Sequence, residues 1–138
     1  MTPDELQSQL AREHDALRAL VIALDRSAQR VLAGRAEAVT DLRRRATELV
    51  ARLAAWHALE DRELYPLLCA GARGGAARTA RMGAEQIARR TLLAHGIDES
   101  ASTRGVVQLA VVAQHVVDDV SGALALRERE VFPRLRSA

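Results

Sequence analysis

Apolar positions recur at alternating steps of four and three over most of the chain. Leu10, His14, Leu17, Val21, Leu24, Ala28 and Val31 form one such stripe, the signature of a long amphipathic helix. Its start is written in Thr2-Pro3-Asp4-Glu5: Thr2 as N-cap, Pro3 as the first helical residue, Glu5 closing a capping box. Gly34 ends it. A second helix is predicted from about Glu37 to about Cys69, with Leu42, Ala46, Val50, Leu53, His57, Asp61, Leu64 and Leu68 on its inner face. Pro66 is expected to kink or fray its last turn. Residues 71–75, three of the five glycine, are a break. A third helix follows from about Ala77 to Ala94, closed by Gly96, with its register left open because Arg89 and Arg90 interrupt every candidate stripe. Asp98 to Thr103 is a polar loop in which Ser102 or Thr103 caps a fourth helix running to about Arg134. Its stripe is Val106, Ala110, Ala113, Val117, Val120, Leu124, Glu128 and Val131. The first half of that helix is apolar almost all round, which places it either centrally or at a subunit contact, the latter implying a homodimer through this helix. The predicted fold is all-α: a single domain over 1–138, an up-down antiparallel four-helix bundle with short loops.

Composition narrows the picture. With 138 residues the chain is long enough to bury a core without disulfides. Aromatic residues make up only 2%, so the core must be built from Leu, Val, Ile and Ala, which favours close-packed helices over a β-sandwich. All basic residues are Arg and there is no Lys, a bias expected of GC-rich coding in some bacteria. Acidic residues offset the Arg to a net charge of +2, and Arg43-Arg44-Arg45 is the only basic run, so no nucleic-acid partner is expected. No apolar run reaches ~18 residues, so no membrane partner is expected either. The acidic N-terminus lacks the order of a signal peptide, and the lone Cys69 cannot form an internal disulfide; a cytoplasmic location is expected.

Chemistry concentrates on the inner stripes. His14, His57, Asp61 and Glu128 all fall there, on three helices. A lone histidine on such a face is most often a satisfied core residue, but an unpaired buried carboxylate is costly, so a shared partner is expected. His57 and Asp61 are four apart and project from one face. Helical bundles build metal sites this way, and two imidazoles with two carboxylates suit Fe(II), Mn(II) or Zn(II) better than Ca(II) or Mg(II). A buried His–carboxylate network is the competing reading of the same residues. Glu60 and Glu63 are expected in solvent or supporting the site. His115 and Asp119 repeat the His57–Asp61 spacing, but His115 lies nine residues before Leu124, half a turn out of phase with the core, and His95 is similarly displaced from Gln86. Cys69 is expected to be a small packing residue.

Three segments resemble the hemerythrin-like, HHE cation-binding family. EHDALRALVIAL (13–24) is similar to its first helix, WHALEDRELYPLL (56–68) to its second, and REREVFPRL (127–135) to the end of its fourth, with paired Tyr65-Pro66 and Phe132-Pro133 endings. The resemblance implies non-haem iron held by terminal histidines and bridging carboxylates. His14 and His57 would then match the terminal ligands of one iron, and Asp61 and Glu128 the bridges. The fourth-helix histidine position is Leu124, and the third helix offers only Ala84-Glu85-Gln86. The resemblance therefore implies one iron per chain in a 2-His-2-carboxylate site, with Gln86 or Glu85 as a further oxygen ligand and Tyr65, Met82, Leu124 and Glu60 around it. Manganese or zinc would fit the same donors.

Three functions follow. The first is oxygen, nitric oxide or redox sensing or handling, with a small diatomic or other small molecule at the metal. The second is a mononuclear iron enzyme acting on a small organic substrate in the space beside Leu124, Met82 and Gln86. The third is a degenerate, metal-free bundle acting as an interaction or regulatory module.

Overall fold

The computed structural model describes residues 1–71 and 73–136. Ala72, in the predicted break, and the last two residues of the predicted domain lie outside the described residues. Helix α1 is Pro3–Leu32 and begins with the expected capping box: Glu5 N–H donates to Thr2 Oγ1, and Thr2 N–H donates to the Glu5 carboxylate. Gly34 (φ +83°) turns the chain out of it, a conformation that glycine adopts without a Cβ penalty. A 3-10 turn at Ala36–Ala38 leads into α2, Val39–Leu59. The second rod continues through a single π turn, Glu60–Leu64, into α3, Tyr65–Gly71. Helix α4 is Gly75–Asp98 and α5 is Thr103–Glu130, the latter capped by Ser102 Oγ on the Gly105 N–H. A break at Val131 separates α5 from α6, Phe132–Arg136.

These segments make four long rods, with no strand among the described residues. α1 packs on α2 and α5, and α4 packs on the same two, so the order around the bundle is α1, α2, α4, α5. This is the antiparallel up-down bundle expected from short connections. Leucine, alanine and valine fill the core, with Trp56 its largest fully buried side chain. By length and composition the helical stretch Thr103–Arg136 contains a window apolar enough to cross a membrane; here that window is 44% buried within the bundle.

Two stripes run differently from their expected course. In α2 the buried positions are Leu42, Ala46, Leu49, Leu53, Trp56 and Leu59, followed by Glu60 and Leu64. In the last third of α5 they are Val120, Ala123, Leu124 and Arg127, followed by Val131. From Leu42 to Glu60, and from Val120 through Leu124 and Arg127 to Val131, steps of four and three alternate, with Leu59 and Ala123 flanking; the expected stripes take two steps of four in a row to reach Val50, His57 and Asp61, or Glu128. Trp56, Glu60 and Arg127 therefore occupy the interior. The third rod settles its own register: Thr79, Met82, Gln86, Arg89, Leu93 and Gly96 are buried. Arg89 does not interrupt the stripe; it belongs to it, with its charge held by Asp119 at 2.6 Å.

Pro66 neither ends nor frays the second rod. Lacking an N–H, it cannot bond the carbonyl one α turn back, and its ring crowds that carbonyl. The wider turn just before it, closed by Tyr65 N–H to the Glu60 carbonyl, absorbs the conflict, and the helix runs on to Gly71.

Candidate functional site

An ion pair occupies the core where α2, α4 and α5 meet. Glu60 is fully buried and Arg127 is 4% exposed. Arg127 Nε–H donates to Glu60 Oε2 at 2.5 Å and Nη2–H to Oε1 at 3.0 Å, the two-point fork that suits a guanidinium to a carboxylate. Two more donors converge on Oε1: Gln86 Nε2 at 3.1 Å and Tyr65 Oη at 3.3 Å. The guanidinium lies 4.6 Å from the centre of the Trp56 ring, a cation–π contact out of water. Burial pushes the Tyr65 phenol well above its ordinary range, with the Glu60 charge adding to the shift, so it stays a donor. The carboxylate is thus saturated by four donors, and its charge is neutralised within the protein.

The predicted ligands lie around this pair but do not come together. His14 is 1% exposed, edge-on to Trp56 and stacked on Phe132 with ring centres 5.0 Å apart. Neither ring nitrogen has a hydrogen-bond partner among the described residues; Glu128 Oε2 is 3.7 Å from Nδ1, too long for one. Burial lowers the His14 pKa against the raising effect of Glu128, so the ring is neutral at pH 7. Glu128 sits at the bundle edge, its side chain 31% exposed, and Arg18 Nη2 grips both its oxygens. That grip holds the Glu128 pKa below the usual carboxylate value. His57 is half-buried between α2 and α4. Arg90 Nη2 lies 2.9 Å from its Nδ1. A guanidinium can only donate, so Nδ1 accepts and the proton sits on Nε2. Burial, with Arg90 second, lowers the His57 pKa. Asp61 is exposed on the π turn. Among the described residues no three His, Cys, Asp or Glu side chains form a group able to hold a metal.

The remaining expectations divide as follows. Gln86 is fully buried but serves Glu60 as a donor, leaving its Oε1 without a partner among the described residues. Glu85 points outward, 3.7 Å from Arg89. Met82 and Leu124 are buried. Glu60, expected in solvent or supporting the site from outside, is the buried carboxylate itself. Cys69, expected to pack, is exposed, with Sγ 3.4 Å from Thr79 Oγ1. His95, His115 and Asp119 are exposed on the outer faces of α4 and α5.

Sequence reasoning missed Arg127, although a signal was present. Glu60 stands five residues before Tyr65-Pro66, and Arg127 stands five residues before Phe132-Pro133. The two proline-terminated turns place equivalent positions at the same level of the core, one an acid and the other a base. A metal ion in this core fits the residues poorly. Its most buried carboxylate is already bound by a covalently attached cation, and a divalent ion beside that guanidinium would meet like charge in a medium of low polarity.

No curated protein and no solved structure matches the chain. Residues 6–135 match the family model described as the Hemerythrin HHE cation binding domain. That match spans nearly the whole bundle, and the chain belongs to the hemerythrin HHE cation-binding domain family.

Proposed function

We propose that this chain is a metal-independent member of its family and works as a regulatory or interaction module. The family's domain binds metal cations; here the guanidinium of Arg127 supplies the core cation. The observation that carries this reading is the buried Glu60–Arg127 pair, with Gln86 and Tyr65 spending their donors on the same carboxylate. A core closed in this way leaves ligand recognition to the outer faces and clefts of the bundle.

A second reading keeps iron. It is a mononuclear site for oxygen, nitric oxide or redox chemistry, or for oxidation of a small organic substrate. Its support is His14, whose two buried ring nitrogens have no partner among the described residues and which lies 3.7 Å from Glu128. That site requires Asp61 to turn inward, Arg18 to release Glu128 and Arg90 to release His57.

Elemental analysis decides between them. Protein purified without a chelating column and loaded anaerobically with Fe(II) is expected to retain no stoichiometric metal after desalting. Stoichiometric iron that disappears in a folded His57→Ala variant would overturn the metal-independent reading in favour of iron.

A further inference from the structure

A cleft of about 320 Å³ opens between the start of α4 and the end of α5, and Arg127 forms part of its wall. We propose that this cleft binds a small organic carboxylate with a short apolar tail. The inference rests on the reading that Arg127, and not a metal, supplies the core cation.

The charges around the cleft do not cancel. Arg78 is paired with Glu130 at 3.1 Å, and Glu85 lies 3.7 Å from Arg89. Arg81 lines the same cleft and has no anionic partner among the described residues. Arg127 is neutralised by Glu60, yet a guanidinium carries five N–H donors. Nε–H and one Nη2–H go to Glu60, and one Nη1–H to the Ala123 carbonyl at 3.4 Å. A further Arg127 hydrogen bond goes to Tyr65 Oη, so one donor of this 4%-exposed side chain is left without an acceptor among the described residues. A buried donor without an acceptor is costly; one carboxylate oxygen can accept from it while the other faces the Arg81 guanidinium. The other walls are Met82, Leu126 and Val131, which suit an alkyl tail. The volume lies at the small end of ligand sites, which favours a short acid over a nucleotide or peptide. One uncompensated guanidinium matches a monoanion, since a second negative charge would face Glu85 and Glu130.

The test is titration of hexanoate into isotope-labelled full-length protein, followed by NMR at the Met82 and Leu126 methyl groups and at Arg127 Nε–H. The expected result is saturable shifts at all three. Hexan-1-ol, with the same tail and no charge, is expected to bind about tenfold or more weakly, the loss of one charge-assisted contact. Arg81→Gln should weaken hexanoate by a similar factor and leave hexanol unchanged, with no change in the melting temperature because Arg81 is exposed. Absence of saturable shifts in the millimolar range overturns the proposal. So does equal affinity for acid and alcohol, or an Arg81→Gln variant that binds hexanoate normally. Metal content measured on the same sample reports separately on the reading beneath it.

Discussion

At the scale of single residues, Arg127 and Glu60 are each dangerous without the other. Removing one partner of a buried ion pair leaves an uncompensated charge, a loss of about 3–5 kcal/mol. Arg127→Met is expected to fall in that range by urea denaturation. The double variant Glu60→Leu/Arg127→Met should recover most of the loss, because apolar residues of similar volume often replace buried pairs at little net cost. A double variant as unstable as the single would mean that packing around Trp56, and not charge, sets the cost. His14 is sensitive in a different way. Its folded pKa lies below the ordinary 6.5, so the unfolded chain binds more protons near that pH. Stability is then complete above about pH 6.5 and declines as pH falls through the window below it. His57, lowered by burial and by Arg90, acts in the same direction. Glu128, held down by Arg18, loses its contribution only at more acidic pH. Unfolding free energies measured from about pH 7.5 to about pH 5 should show a shallower decline in His14→Gln than in the parent. Identical slopes would remove His14 as the source.

At the scale of elements, the helices were legible and their last turns were not. The Thr2–Glu5 capping box, the Gly34 exit, the Ser102 cap and four rods joined by short loops all follow from local rules that act within a few residues. The candidate site depended on a finer quantity, the phase of each stripe where it meets a proline. His57 and Asp61, and Glu128 in α5, drew the expected stripes one residue off, because ligand-type side chains suggested an inner face. The Glu60–Leu64 π turn then returned the phase to Leu64 and Leu68, which hid the slip. The residue type of Arg127 does not mark it as buried; its place five residues before Phe132-Pro133, matching that of Glu60 before Tyr65-Pro66, does, and the Glu60 carboxylate makes that burial tolerable. The third rod was unreadable for the same reason, since Arg89 is buried only because Asp119 of α5 lies beside it. The turn into α4 gives a test at this scale. Gly74 has φ +80°, and a Cβ there meets nothing within 4 Å. A Cβ on Gly75 would lie 2.2 Å from the Leu68 carbonyl oxygen. Gly74→Ala should therefore cost only the left-handed penalty of about 1–2 kcal/mol. Gly75→Ala must move the backbone of α3 or α4 and should cost more. Thermal melts of the two variants in the opposite order would contradict this account of the α3–α4 joint.

At the scale of the whole molecule, the issue is whether the stability of the bundle depends on anything outside the chain. A ligand that binds only the folded state stabilises it by about 2.7 kcal/mol when present at a hundredfold above its dissociation constant. For a domain of this size that corresponds to a rise in melting temperature of roughly 10 °C. A bundle whose core cation is a metal must therefore melt earlier in a strong chelator and later with metal in excess. The Glu60–Arg127 pair is intramolecular, at fixed stoichiometry, and cannot be diluted or chelated away. Its strength is also less sensitive to salt than that of the Arg18–Glu128 and Arg78–Glu130 pairs at the surface, because Glu60 is fully buried and Arg127 nearly so. The melting temperature of the full chain is accordingly expected to be the same, within ~1 °C, in chelator, in anaerobic Fe(II) and in Zn(II). A metal-dependent rise of several degrees would place a cation in the folded state and return His14 and Glu128 to the centre of the problem. If that rise survives in Arg127→Met and vanishes in His14→Gln, the metal lies on the histidine side of the core and the guanidinium is not its substitute.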